Sequence, residues 1–286
     1  MMYGITFRGR HSREFGLVVK SKSRPAAPPV RTQEDTASLR DGAVDYSMQG
    51  GRLYYDDKFL ELELTVPRKE LQLTQKAVSK IVSWLTGWYG EMVFDDMPHV
   101  IWIARPVDLS EVGIELYRVG KVTVQFRCKP FNRLKYSTTG IPLDSDLSLD
   151  FDVPLDYGED AYHNLEAGEN TIAYSYIGDA PVAPKLIIFG SGVTQLKFTL
   201  NGYELQYIGS IPFDTMTIDC ETWRTYADEL DITQSMSGDY GELTPGENAL
   251  TITTDRNAEL AIVCYPHFMY GDVGFEQEEE TYDSSL

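Results

Sequence analysis

The sequence predicts a mainly β protein in two units: an N-terminal β-sandwich or split barrel carrying a single α-helix, then a C-terminal β-sandwich. Three observations lead there. Only one stretch of the 286 residues has convincing helical periodicity, the segments around it alternate as half-buried strands do, and the charge reverses sign near Tyr136.

The helix lies in residues 71–103. Thr74 is placed to cap it, and Ala77, Val78, Ile81, Val82 and Leu85 recur at three- and four-residue steps, which puts one apolar stripe on one face. Gly87 is placed to end it. The aromatic run from Trp88 through Phe94 to Trp102 then forms strands that turn at Asp95, Asp96, Met97 and Pro98.

Before the helix, residues 3–19 read as a strand, a turn at 9–12 and a second strand. Residues 21–35 hold Pro25, Pro28 and Pro29, which favours an extended arm over a packed element. Asp41-Gly42 is a turn signal. Leu60, Leu62, Leu64 and Val66 alternate with Glu61, Glu63 and Thr65, a strand with one wet face. After the helix, 113–119 and 121–127 read as a strand pair turned at Gly120.

The second half reads as all β. Residues 186–189 are a buried-strand run, and Leu196, Phe198 and Leu200 lead into Asn201-Gly202, a two-residue hairpin signal, with Tyr203, Leu205 and Tyr207 returning. Further strands fall at 216–219, 250–253 and 260–265. An internal echo joins LEAGENTIAYS at 165–175 to LTPGENALTIT at 243–253 and predicts two equivalent turns in a pseudo-symmetric sandwich. Residues 275–286, FEQEEETYDSSL, read as an acidic, disordered tail. The expected division is 1–135, 136–275 and 276–286.

Charge separates the halves. Of 25 Lys and Arg, 21 lie in residues 1–135 with 16 of the 44 Asp and Glu, a net of +5; the remainder carries −24. Strong nucleic-acid binding by the acidic half is not expected, because phosphate contacts need Lys and Arg. No apolar run approaches a membrane span, and the start lacks a signal peptide's apolar core, so a soluble protein made in the cytosol is expected. Cys128, Cys220 and Cys264 are isolated, which favours buried thiols over disulfides or zinc.

Catalytic motifs are missing. The four histidines, His11, His99, His163 and His267, are scattered, and Gly190-Ser191-Gly192 is a turn rather than a dinucleotide fingerprint, since a strand follows it. Asp95-Asp96 and the set Asp144, Asp146, Asp150 and Asp152 are acids that a cation or glycoside chemistry would use; solvated loops are the commoner reading. Tyr174, Tyr176, Tyr203 and Tyr207 are placed to stack on sugars or, more commonly, to pack a sheet. No catalytic, cofactor-binding or metal-ligating residue is assigned, and no enzyme activity is expected.

The order of these elements resembles the distal tail protein (Dit) family of long, non-contractile-tailed bacteriophages of Gram-positive hosts. In the first half the likeness rests on the opening strands, the arm RPAAPPVR, the segment RDGAVDYSMQGGRLYYDDKFLELELTV, the helix KAVSKIVSWLTG and the closing VTVQFRCKPF. In the second it rests on GENTIAYSYIGDAPVAPKLIIFGSG, LKFTLNGYEL, TIDC and SGDYGELTPGENALTI. The resemblance implies a ring-forming N-terminal domain that assembles as a homo-hexamer at the distal end of the tail tube, and a galectin-like C-terminal sandwich. It implies partners too: the tail tube protein, tail-tip and receptor-binding proteins, the tape-measure protein, and genomic DNA crossing the lumen without specific binding. The implied location is the virion, after assembly in the host cytoplasm, with no membrane, cofactor or metal.

Sugar-binding galectins use His, Asn, Arg, Trp and Glu together, whereas Trp223 has Arg224 beside it but no histidine or asparagine in the same run. Tight sugar binding by this sandwich is not expected. A structural hub is the leading reading; a carbohydrate-binding adhesion module for the host wall is the alternative.

Overall fold

The computed structural model describes residues 4–36, 41–48, 52–67, 75–135, 161–209 and 211–269. Thr74, the acids at 144–152 and the tail at 275–286 lie outside the described residues. Packing divides the chain into two compact units, 1–135 with 268–271, and 136–267 with 272–286.

The first unit contains β1 (Ile5–Phe7), β2 (Arg10–His11), β3 (Val18–Ser23), β4 (Glu34–Thr36), β5 (Ala43–Asp45), β6 (Lys58–Thr65), α1 (Gln75–Leu85), β7 (Gly90–Phe94), β8 (Met97–Pro106), α2 (Val112–Val119), β9 (Lys121–Cys128) and β10 (Asn132–Leu134). Its main sheet runs β2-β1-β7-β8-β9-β6-β3, and every pair in it is antiparallel. The long β8 splits: its far end pairs with β9 and its near end with β10. The turn expected at Asp95-Asp96 is a tight one, with Phe94 opposite Met97.

The inward residues of β6 and β9, Leu60, Leu62, Leu64, Val122, Val124 and Phe126, are all buried. Burying each such side chain contributes about 1.5–3 kcal/mol. Helix α1 closes this core with Val78, Ile81, Trp84 and Leu85. Trp84 sets its position, because its indole N–H donates to the Phe7 carbonyl at 2.9 Å while its ring stacks on Phe15.

Residues 113–119 are not the strand expected. They form most of α2, in which Val112 and Leu116, four residues apart, are buried together, as one helix face requires. Gly120, expected as a hairpin turn, takes φ 70° and closes the helix, donating its N–H to the Leu116 carbonyl. Gly113 faces α1, where a β-carbon would make ordinary van der Waals contact with Val78 and Val82. Among the described residues the unit therefore has two α-helices instead of one.

Lys58 is almost wholly buried. Its ammonium donates to Asn132 Oδ1 at 3.1 Å and to the Met269 carbonyl at 2.9 Å, and lies 4.5 Å from the centre of the Trp102 ring. A buried charge needs such partners. Met269 belongs to the short segment 268–271, with which the chain returns to the first unit.

The second unit contains β11 (Tyr162–Leu165), β12 (Gly168–Tyr176), β13 (Lys185–Val193), β14 (Leu196–Leu200), β15 (Tyr203–Tyr207), β16 (Phe213–Asp219), β17 (Arg224–Ala227), β18 (Leu230–Asp231), β19 (Met236–Gly238), β20 (Gly246–Thr254) and β21 (Ala258–Val263); β22 (His267–Phe268) ends the described chain. Two sheets, β11-β21-β13-β16-β17-β18 and β12-β20-β14-β15-β19, enclose one apolar core. This is the expected galectin-like sandwich. Asn201 and Gly202 make the expected hairpin turn, both with positive φ.

The internal echo has a physical cause. Its strands, β12 and β20, are antiparallel neighbours in register from Gly168 opposite Thr254 to Tyr176 opposite Gly246, so exchanging them maps the ladder on itself. Each begins at a positive-φ glycine and carries an asparagine two residues on. Asn170 accepts from the Glu166 N–H and donates to the Glu166 and Gly168 carbonyls; Asn248 does the same with Thr244 and Gly246. The asparagine side chain thus closes the turn of each L-x-x-G-E-N segment.

A second repeat, Tyr-Ile-Gly, escaped the sequence reading. Tyr176 donates its hydroxyl to the Ala180 carbonyl and Tyr207 to the Ile211 carbonyl, each four residues on. Gly178 and Gly209 lie against those rings, where a β-carbon has no room. Each tyrosine fastens the chain as it leaves its strand.

Candidate functional site

The sequence-flagged groups are occupied by structural work. Asp95 accepts the Gly4 N–H at 2.9 Å and pairs with His11 at 2.9 Å and Arg13 at 3.2 Å. Partial burial raises its carboxyl pKa, but hydrogen bonds from His11 and Gly4 with the charges of His11 and Arg13 outweigh this and hold it below the ordinary range. Asp96 accepts both arms of the Arg24 guanidinium, at 3.0 and 3.3 Å, and that guanidinium lies 4.0 Å from the centre of the Phe94 ring. The tip of the β7–β8 turn therefore ties down the N-terminal strands and the root of the arm.

Gly190-Ser191-Gly192 is a bulge within β13, where Gly192 donates its N–H to Asp214 at 2.9 Å. Cys128 and Cys220 are buried, which pushes both thiols up to about 12. Cys264 is buried too. Tyr174, Tyr176 and Tyr207 are core residues, and Tyr203 is exposed. His267 meets the Pro181 carbonyl at 3.0 Å. Among the described residues no group of three or more His, Cys, Asp or Glu converges on a metal position, and no helix is long and apolar enough to cross a membrane.

What the first unit offers is exposed apolar surface. The arm leaves β3 at Arg24 and runs extended beside residues 54–56: Val30 bridges Tyr55, Arg31 donates to the Tyr54 carbonyl and Asp56 to that of Pro29. Beyond it β4 and β5 pair only with each other. This flap exposes Val30, Tyr46, Met48, Leu53 and Tyr54. Tyr46 and Tyr54, with Arg31, Gln33 and Ser47, line an open cleft of about 320 Å³. A second patch lies on α2, where Ile114, Tyr117 and Val119 are all more than half exposed beside a cleft of about 390 Å³. Paired apolar patches on a small unit mark interaction sites.

Strand β6 has no edge to offer a neighbouring subunit, because it has β3 on one side and β9 on the other. Among the described residues the terminal strands of this sheet are β2 and β3. The wet face of β3 joins a charged ladder in which Glu63 sits between Lys22 at 3.5 Å and Lys121 at 2.9 Å.

In the second unit the galectin-type cluster is absent from the five-stranded sheet. Its outward positions include Thr171 opposite Thr251, Glu169 opposite Thr253, Lys197 opposite Gln206 and Thr199 opposite Glu204, and none of these is aromatic.

Residues 6–130 match the family described as phage tail protein N-terminal domain, a span within the first unit. Curated protein sequences give no match. Among solved structures the chain is similar to the crystal structure of the SPP1 Dit (gp 19.1) protein, described as a paradigm of the hub adsorption apparatus in phages infecting Gram-positive bacteria. The TM-score is 0.60 at 13% identity, covering 92% of this chain and 98% of that one. A family 6 carbohydrate-binding module overlaps 36% of this chain and 70% of its own at 13% identity, but its TM-score of 0.18 carries no fold assignment. The fold is that of Dit.

Proposed function

We propose that this chain, which carries a phage tail protein N-terminal domain and has the Dit fold, is the hub at the distal end of a phage tail. Six copies close into a ring through the first unit, the tail tube protein docks on one side, and tail-tip and receptor-binding proteins dock on the other. The tape-measure protein and then the genome use the lumen. Assembly takes place in the host cytoplasm and the protein ends in the virion.

The observation that carries this reading is the pair of unlike apolar patches on the first unit, the arm flap and the α2 face. A ring built by heterologous contacts needs two different surfaces on each subunit. The charge favours the same arrangement. A unit of net +5 packs against copies of itself with little repulsion, whereas units of −24 need separation greater than the Debye length of about 8 Å.

Light scattering and negative-stain imaging of the full-length protein test it. Ring particles with the mass of six chains are expected, and Tyr54→Asp or Tyr117→Asp should release smaller species. A wild-type protein that stays monomeric at high concentration and does not join isolated tail tubes overturns the reading.

A further inference from the structure

The outward face of the first unit's main sheet carries a cluster of cations for which the fold supplies few counter-charges. In register, Arg105 on β8 lies directly opposite Arg127 on β9, and Arg127 lies opposite Phe59 on β6. Directly opposed residues share a face. The alternate positions Ala104, Phe126, Cys128 and Leu60 are buried in the core, so this row points outward. Trp88 and Tyr89 stand just ahead of β7, and Lys129, two residues past Arg127, brings its ammonium to 5.0 Å from the centre of the Tyr89 ring. Trp88 is 74% exposed and Phe59 49%.

We propose that this face is the docking site for an acidic polypeptide segment of a partner protein. Like charges set directly opposite one another destabilise a sheet, yet Arg105 and Arg127 are so placed. One acid serves the cluster. Asp57 accepts from Arg127 Nε at 2.6 Å and from the Tyr89 hydroxyl at 3.1 Å. Glu91, on the same face, is taken by Arg133. Among the described residues no carboxylate pairs with Arg105 or Lys129, so the face is short of the negative charge that such a segment would bring.

Aromatic rings hold Arg105 where a carboxylate would otherwise do so. Its guanidinium carbon lies 5.2 Å from the centre of the Trp88 ring and 5.5 Å from that of Tyr89, and the two rings meet edge to face. Its Nε has no acceptor among the described residues. A guanidinium held against rings stays charged and oriented with donors to spare. Two guanidinium groups side by side suit carboxylates, which Arg takes two-pronged. Exposed Trp and Phe beside Arg is also the composition from which the strongest contacts of protein interfaces are built.

Charge selects the class of partner. The chain as a whole carries −19, which repels a nucleic acid whose phosphates extend far beyond the cluster. A short acidic segment instead meets the local field, within the Debye length of about 8 Å. Apolar residues between its acids would cover Trp88 and Phe59 and remove that surface from water. The inference uses none of the flap and α2 residues named for the ring, and it stands apart from the hub reading.

The test is fluorescence anisotropy of a labelled peptide of repeating Asp-Leu-Glu-Phe units titrated with the full-length protein, beside its uncharged Asn-Leu-Gln-Phe counterpart and a labelled oligothymidylate strand. Saturable binding of the acidic peptide is expected, weakening as salt is added, with the uncharged peptide and the DNA strand each bound at least about ten-fold more weakly. Arg105→Gln and Trp88→Ala should each weaken the acidic peptide about ten-fold at unchanged melting temperature. Lys20→Ala, which removes an exposed cation from β3 of the same sheet, should leave it unchanged. No binding, equal binding of the charged and uncharged peptides, tighter binding of the DNA strand, or a loss in Lys20→Ala equal to that in Arg105→Gln would each overturn the proposal.

Discussion

Arg8 closes over Gly87. The Arg8 guanidinium donates to the carbonyls of Thr86 and Trp88, which flank that glycine, and occupies the space a β-carbon on Gly87 would need. It therefore satisfies backbone acceptors just past the end of α1 and fastens the helix to the β1–β2 turn. Gly87 takes φ 135°, a conformation L side chains avoid.

Gly87→Ala should then cost about 2–3 kcal/mol, from backbone strain and loss of the Arg8 contacts together. Gly9→Ala, also at positive φ but with open space around it, should cost about 1 kcal/mol. Urea midpoints of both variants check the ranking, and an equal loss contradicts the role given to Arg8.

The two turn-closing asparagines differ in burial. Asn248 is 2% exposed and Asn170 is only partly buried. Asn248→Ala should cost about 2–3 kcal/mol, because it strands buried backbone groups, and Asn170→Ala about 1 kcal/mol, because water replaces its partners. Thermal melts of the two variants decide this.

Asp95 makes the fold sensitive to acid. Its folded-state pKa lies below the ordinary 3.8, so its contribution is fully present above the unfolded value and disappears as pH falls through the folded one. Stability should drop below about pH 4, and Asp95→Asn should flatten that part of the curve while lowering stability at neutral pH. A variant whose acid limb is unchanged refutes the assignment.

With two thiols pushed up to about 12 and all three cysteines buried, the folded protein should react very slowly with a thiol reagent at pH 8. In denaturant the full complement of three should react at once. Fast reaction of one thiol in the native protein would place that cysteine at the surface.

A fragment of residues 1–135 lacks the Met269 carbonyl and so leaves the buried Lys58 ammonium one acceptor short. It should be less stable than the same unit in the whole chain by about 1.5–3 kcal/mol. Lys58→Met should recover part of that loss in the fragment. Urea unfolding of the fragment with and without the substitution is the measurement.

Much of this was legible in the chain because the local signals agreed with one another. Leu60, Leu62 and Leu64 alternate cleanly, and Asn201-Gly202 allows little but a hairpin. Helix α2 was not legible, since Val112 and Leu116 make only one helical repeat and Gly113 argues against a helix until its packing on α1 is seen. Phe189 was hidden for another reason. It ends the run Leu186, Ile187, Ile188, Phe189, which reads as buried on both faces, so only the strand register reveals that it points out. Arg105 and Arg127 are separated in sequence by all of α2 and stand opposite one another only once β8 pairs with β9.

The return of Met269 to Lys58 sets a timetable for synthesis. A ribosome releases residues 1–135 long before it makes 268–271, so the nascent first unit must wait, with the Met269 acceptor of its Lys58 ammonium still missing, while the second sandwich is translated. Under the proposed hub reading, a chain cut short before residues 268–271 would offer its neighbours a first unit that is not yet finished, and would be a poor competitor for a place in a ring.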